Sequence, residues 1–176
     1  MKKFIFALLC ICALLLPGFT SNDPEENKAM EVTRAYFAAV NKNDLETILS
    51  LSAQKRQDDF WAANDGNGDV FFKTMLLIFK DAQFTITAAE KIDDERMIIN
   101  VLGRFPDLEY VVSTAWDRVE AKYGKDMSQE EIFAAMPSFI PAILAEKNTY
   151  KYMEEPLDIK MLKENGQWKV DESINY

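Results

Sequence analysis

The groups able to do chemistry in this 176-residue chain are carboxylates, tyrosines and one oxygen-rich loop; histidine is absent. Without an imidazole there is no Ser-His-Asp or Cys-His nucleophilic site, no histidine metal ligand and no usual neutral-pH proton shuttle. Asp65-x-Asn67-x-Asp69 has the oxygen spacing that opens a calcium loop. That motif also requires glycine at its sixth position and an acid at its twelfth, where Val70 and Leu76 stand. Gly66 and Gly68 do not make a dinucleotide loop, because no strand precedes them and no third glycine follows. Carboxylates are paired at Glu25-Glu26, Asp58-Asp59, Asp93-Asp94, Glu130-Glu131 and Glu154-Glu155. Adjacent residues point to different sides of a helix or strand, so none of these pairs is an acid–base dyad by itself. Two pairs fall in the first turns of helices, where negative charge complements the helix dipole. No catalytic residue, metal site or cofactor site is assigned.

The elements that must position such groups belong to one domain of ordinary size. The chain is 48% hydrophobic and 28% charged, enough apolar side chain for a packed core. Its net charge of −9 argues against a nucleic-acid partner, because phosphate neutralisation requires a basic surface.

Residues 1–20 read as a secretory signal. Lys2 and Lys3 precede an apolar run from Phe4 to Leu16, followed by Pro17-Gly18 and a polar stretch from Thr20. Thirteen apolar residues fall short of the ~20 that cross a bilayer core of ~30 Å. Cleavage is expected after Thr20, an uncleaved anchor being the alternative. Cys10 and Cys12 follow Leu9 and Ile11, too bulky for a lipidation box, and read as residues of the apolar run. Removal of 1–20 leaves 18 basic against 29 acidic residues, a charge of −11, and no thiol. The expected mature chain is exported, periplasmic or extracellular, and rests on its core alone, without stable membrane insertion.

Residues 21–176 read as helices, a hairpin, helices and a second hairpin. Asp23-Pro24-Glu25-Glu26 opens a helix in which Ala29, Val32, Tyr36 or Phe37, and Val40 recur at helical spacing. Asn41-Lys42-Asn43 turns the chain, and Asp44 caps a second helix carrying Leu45, Ile48 and Leu49 and, past Ser52, Phe60 and Trp61. Residues 64–69 are a loop, and the apolar run Val70 to Phe79 predicts a helix. Phe84, Ile86 and Ala88 alternate with Thr85 and Thr87. Met97, Ile99 and Val101 then face inward across an Asp93-Asp94-Glu95 turn. Pro106 stops that strand. Asp107 caps a helix with Leu108, Val111, Val112, Ala115, Trp116 and Val119 on one stripe, ended by Gly124. Ser128-Gln129-Glu130-Glu131 opens another helix through a capping box. Pro137 and Pro141 break the following segment into short pieces. There Phe139, Ile140, Ile143 and Leu144 either complete the core or form an exposed lid or partner surface. Finally Leu157, Ile159 and Met161 pair across Asn165-Gly166 with Trp168 and Val170, whose alternates are Lys169 and Asp171.

Two stretches carry a family resemblance. Val32-Thr-Arg-Ala-Tyr-Phe-Ala-Ala-Val40 with Asn43-Asp44-Leu45, and the terminal hairpin Leu157 to Asp171, resemble the nuclear-transport-factor-2-like superfamily, in particular uncharacterised exported bacterial domains. The resemblance implies an α+β fold: N-terminal helices packed on a curved, cone-like antiparallel sheet. The helical insertion at about 107–148 departs from the minimal family pattern. Some members are ketosteroid isomerases and dehydratases that use a cone-buried Asp with Tyr donors. Tyr36, Tyr110, Tyr150 and Tyr152 are the corresponding donor types here, and Asp58 or Asp59 the corresponding base, though no spacing singles one out.

The candidate pocket or partner surface comprises Tyr36, Trp61, Trp116, Phe139, Ile140 and Ile143. The leading reading is an exported non-enzymatic binding domain holding a small apolar ligand or an envelope protein. The alternatives are a cone-pocket isomerase or dehydratase, and a structural module that self-associates as a homodimer.

Overall fold

The computed structural model describes residues 20–63, 68–146 and 150–172, with the side chains of 61–63, 68–73 and 172 outside that description. The leader read at 1–20, Thr20 apart, and residues 64–67 of the oxygen-rich loop lie outside the described residues. The elements are α1 (Pro24–Lys42), α2 (Leu45–Leu51), α3 (Gln54–Ala63), α4 (Gly68–Phe79), β1 (Gln83–Lys91) and β2 (Arg96–Pro106). After these come α5 (Leu108–Tyr123), α6 (Gln129–Ala135), a 3₁₀ turn (Met136–Ser138), α7 (Ile140–Ala145), β3 (Tyr152–Glu164) and β4 (Gln167–Glu172). The four strands form one antiparallel sheet in the order β1-β2-β3-β4, and the helical insertion lies between β2 and β3. The protein is α+β, with helices packed on an antiparallel sheet.

Local chemistry sets the element ends. The Asp23 side chain accepts from the Glu25 N–H at 2.7 Å, and Pro24 takes the first helical position, where no N–H is needed. Asn43, at φ 55°, ends α1 in the left-handed conformation that asparagine tolerates. Asp44 and Asp107 cap α2 and α5 by accepting from Thr47 and Tyr110 N–H groups. Ser128 and Glu131 form the capping box of α6. Asn165 and Gly166, at φ 52° and 78°, supply the two positive angles of a primed hairpin turn.

Alternate strand residues build the main core. Met97, Ile99 and Val101 from β2 meet Leu157, Ile159 and Met161 from β3, and Trp168 and Val170 from β4. Ala29, Met30, Tyr36, Phe37 and Val40 of α1 cover them. The Phe37 and Phe84 rings stack at 3.9 Å between centroids. A second apolar cluster joins Ile78 of α4 to Val111, Ala115 and Val119 of α5, Ile132, Met136, Ile140 and Ile143. Thus α4 serves both clusters, with Leu76 and Phe79 facing the first and Ile78 the second.

Three expectations need correction. In β1 the register steps from Ile86↔Val101 to Ala88↔Asn100, so Thr87 is an extra residue. After this bulge it is Ala89, not Ala88, that packs against the core with Phe84 and Ile86. The segment past Asp44 is two helices rather than one. Ser52 leaves the helical region at ψ 151°, and its backbone pairs with Val170. In β4 a second bulge displaces Asp171, as described below.

Gly103 shows how tightly the inner face is packed. A Cβ there would lie 2.9 Å from Leu157 Cδ1 and 3.1 Å from the Phe105 ring. Gly103→Val is expected to cost about 1–3 kcal/mol through overpacking, read as a lower denaturation midpoint. An unchanged midpoint would mean the inner face has slack.

The first turn of α1 is tied to the last hairpin by charge. Lys163 Nζ is salt-bridged to Glu25 Oε2, the Trp168 indole N–H donates to the same oxygen at 3.2 Å, and Lys28 pairs at 2.7 Å. The Lys163 hydrogen bond, with help from Lys28, holds the Glu25 carboxyl at about 2, well below its ordinary 4.5. Because the folded value is the lower one, this tie stabilises fully above pH 4.5 and is lost as pH falls toward 2. Glu25→Gln is therefore expected to lower the melting temperature at neutral pH, with the gap from the parent closing between pH 4.5 and 2. A gap independent of pH would contradict the ionic tie.

Candidate functional site

A cleft of ≈ 410 Å³ opens where α1, α2, α3 and β4 meet. Its floor is Tyr36, Ile48 and Ser52, all buried, and its walls are Leu49, Phe60, Arg56 and Asp171, all half-buried. Lys55 and Asp59 stand exposed at the mouth, one turn apart on α3.

Each wall has a local cause. Asp44 anchors α2: its carboxylate accepts from the Thr47 N–H and hydroxyl, at 3.1 and 2.7 Å. Those bonds pull its pKa below the ordinary carboxylate value. With α2 so anchored, Ile48 and Leu49 face the cleft. The chain then breaks at Ser52, whose hydroxyl donates to the Ile48 carbonyl at 2.8 Å. The Ala53 N–H donates to the Val170 carbonyl at 2.9 Å, which seats the α2–α3 elbow on β4.

The start of α3 is capped from far away in sequence. Its Gln54 N–H meets both oxygens of the Glu164 carboxylate, at 3.1 and 3.2 Å. A carboxylate at a helix N-terminus is favourable because the free N–H groups and the dipole are positive there. The Gln57 side chain donates to the Ser52 carbonyl at 3.0 Å, and Arg56 donates to the Asp171 carbonyl at 3.4 Å. On α2, Ser50 accepts from Lys169 Nζ at 2.6 Å. The terminal hairpin therefore holds both helices of the elbow through polar ties.

Asp171 reaches the cleft because of a bulge. Met161 pairs with Val170 but Lys160 pairs with Glu172, which leaves Asp171 as the extra residue of β4. Strict alternation would point Asp171 to the same side as Lys169, as the sequence pattern predicts; the bulge re-aims it.

The structure separates the sequence-derived candidates. Tyr36 is in the cleft. The side chain of Trp61 lies outside the described residues. Trp116, Phe139, Ile140 and Ile143 gather instead around the second cluster and do not line the cleft. Ile140 and Ile143 have no solvent exposure: they are interior packing residues, not an exposed lid. Trp116 donates its indole N–H to Glu120 at 2.9 Å and sets its ring edge-on to Phe133. Phe139 meets the Tyr123 ring edge-on, with Lys122 Nζ 4.8 Å above Tyr123.

The candidate donors also scatter. Tyr150 is buried at the base of the insertion, where it donates to the Leu144 carbonyl at 3.1 Å. Burial, then its contact with Tyr152, pushes its hydroxyl up to about 12. Asp58 is bound by the Gln54 side chain at 2.8 Å, leaving Asp59 as the member of that pair at the cleft. Sequence reasoning did not single out Lys55, Arg56 or Asp171. The first two carry no motif, and the signal for Asp171 is a register shift that only the paired strands reveal. Among the described residues no cluster of three or more carboxylate, histidine or cysteine groups could hold a metal ion.

No family model matches the chain, and no curated protein matches it significantly. Among solved structures it is similar to a domain from Xanthomonas campestris provisionally assigned as a calcium/calmodulin-dependent protein kinase II association domain. That pair shares 11% identity over 87% of each chain, with a TM-score of 0.46. It is also similar to a ketosteroid isomerase-like protein from Erwinia carotovora atroseptica, at 10% identity over 84% of this chain and 92% of that one, with a TM-score of 0.42. A third is a nuclear-transport-factor-2-like protein of unknown function from Shewanella oneidensis, at 9% identity over 82% and 92%, with a TM-score of 0.39.

Proposed function

We propose that this chain is an exported, non-enzymatic domain that binds a small, largely apolar ligand in the cleft between α1, the α2–α3 elbow and β4. The observation that carries the reading is the cleft itself: ≈ 410 Å³, with Tyr36, Ile48, Leu49 and Phe60 presenting apolar surface beneath a polar mouth. Ligand pockets of this size are lined mainly by apolar groups, with a few polar ones to fix orientation.

Binding is favoured over proton chemistry by where the carboxylates stand. A carboxylate that abstracts protons inside an apolar pocket works by being held away from water. Here Asp59 is exposed and Asp171 half-buried, so both cleft carboxylates face solvent. Tyr36, although buried, forms part of the floor beside Ile48 and Ser52.

The export half of the proposal rests on Lys2, Lys3 and the apolar run ahead of Thr20. Ser21, the residue after the proposed cleavage point, is bonded within the described body. Ser21 N–H donates to Asn27 Oδ1 at 3.2 Å, and Asn27 Nδ2 donates back to the Ser21 carbonyl at 2.7 Å. The Ser21 hydroxyl also accepts from the Asp23 N–H at 3.0 Å. Cleavage after Thr20 would leave all three contacts to the mature chain. No described helix is long and apolar enough to cross a membrane.

Native mass spectrometry of the protein recovered from the producing cell's envelope or medium tests both halves. The expected result is a chain beginning at Ser21 that carries a small co-purified mass, lost in the Leu49→Arg variant, which puts a charge on the cleft wall. A chain that still carries residues 1–20 would overturn cleavage after Thr20, and recovery of the protein from the cytosol alone would overturn export. A ligand mass retained by Leu49→Arg, or a parent chain that stays bare against a panel of apolar compounds, would overturn the cleft reading.

A further inference from the structure

The mouth of the cleft carries charges of both signs that no described residue pairs. Lys55 and Asp59 take part in no hydrogen bond or ion pair among the described residues, although they stand one turn apart on the same helix. Across from them, the β4 bulge turns Asp171 into the cleft, where its carbonyl receives Arg56 while its carboxylate is left without a donor among the described residues. Below lie the apolar surfaces of Tyr36, Ile48, Leu49 and Phe60.

This layout discriminates between head groups. A purely anionic head gains Lys55 but meets two carboxylates in a chain whose net charge is −9. A purely cationic head gains those carboxylates but meets Lys55. An uncharged head leaves every one of these charges to water. A head with an anion and a cation a few ångströms apart can satisfy both signs at once, each pairing made at a partly screened surface.

Resting on the binding role proposed above, we infer that the ligand is a zwitterionic amphiphile. Its apolar body lies on Tyr36, Ile48, Leu49 and Phe60; its anionic group meets Lys55, and its cationic group meets Asp59 and Asp171. Arg56 is a positioning residue that keeps the bulged segment of β4 in place through the Asp171 carbonyl.

The test uses four probes with the same octyl chain, each below its micelle concentration: octyl phosphocholine, octyl sulfate, octyl trimethylammonium and octyl glucoside. Isothermal titration of the mature protein at low salt is expected to show octyl phosphocholine binding about fivefold or more tightly than the other three. The margin should shrink as sodium chloride is raised toward 1 M, where the screening length falls to ~3 Å. Lys55→Gln is expected to remove most of the advantage over octyl trimethylammonium, and Asp59→Asn most of that over octyl sulfate. Both positions are exposed, and far-UV circular dichroism checks that each variant keeps its fold. Equal binding of all four probes, or tightest binding of octyl sulfate, would overturn the zwitterion inference while leaving the cleft as a binding site. Failure of every probe to bind would overturn the inference and the cleft reading together.

Discussion

The bond from the Ala53 N–H to the Val170 carbonyl, with the parallel pairing of Ser52 and Val170, is the contact on which the rest of this structure depends. It joins a helix elbow to the last strand across more than a hundred residues. An elbow between two helices exposes backbone groups that cannot be left buried and unpaired. Here β4 supplies the partner for Ala53, Glu164 supplies the cap for α3, and Lys169 supplies a donor for Ser50. Only with the elbow held in that way do Ile48 and Leu49 on one side and Phe60 on the other enclose a space above Tyr36.

The hairpin that makes this contact is itself locked to the start of the fold. Glu25 takes Lys163 and the Trp168 indole, so the first turn of α1 and the β3–β4 turn close on each other. Between these ends the sheet's inner face packs closely around Gly103, beside Leu157 and the Phe105 ring. The helical insertion contributes little to the cleft. It packs its own apolar stripe on Ile78 of α4, and Asp107 at its start donates its N–H to the carbonyl of Lys151, the residue before β3. The two clusters share α4, so the insertion stabilises the wall behind the main core rather than the ligand space.

Much of this was legible in the residues. Caps and turns have short-range causes, so Asp23, Asp44, Asp107, Ser128 and Asn165-Gly166 could be read where they stand. The inward residues of β2, β3 and β4 follow from a period of two. What could not be read depends on partners distant in sequence. An extra residue in a strand has no compositional mark, so the bulges at Thr87 and Asp171 were invisible, and with the second went a residue of the cleft. Ser52 looks like a helix residue until Val170 arrives to pair with its backbone. Ile140 and Ile143 fit either an exposed lid or an interior; the stripe of Val111, Ala115 and Val119 opposite them decides for the interior. Lys55 and Asp59 are ordinary surface charges until the elbow places them at a cleft mouth.

Residue-resolved native-state hydrogen exchange at the Ala53 amide is the most direct measurement of the elbow's seating. If the elbow is held by β4, Ala53 exchanges through the same opening as the amides of Met161 and Val170, with matching protection and denaturant dependence. An Ala53 amide that exchanges orders of magnitude faster than those two, at the pace of an exposed turn, would contradict the account.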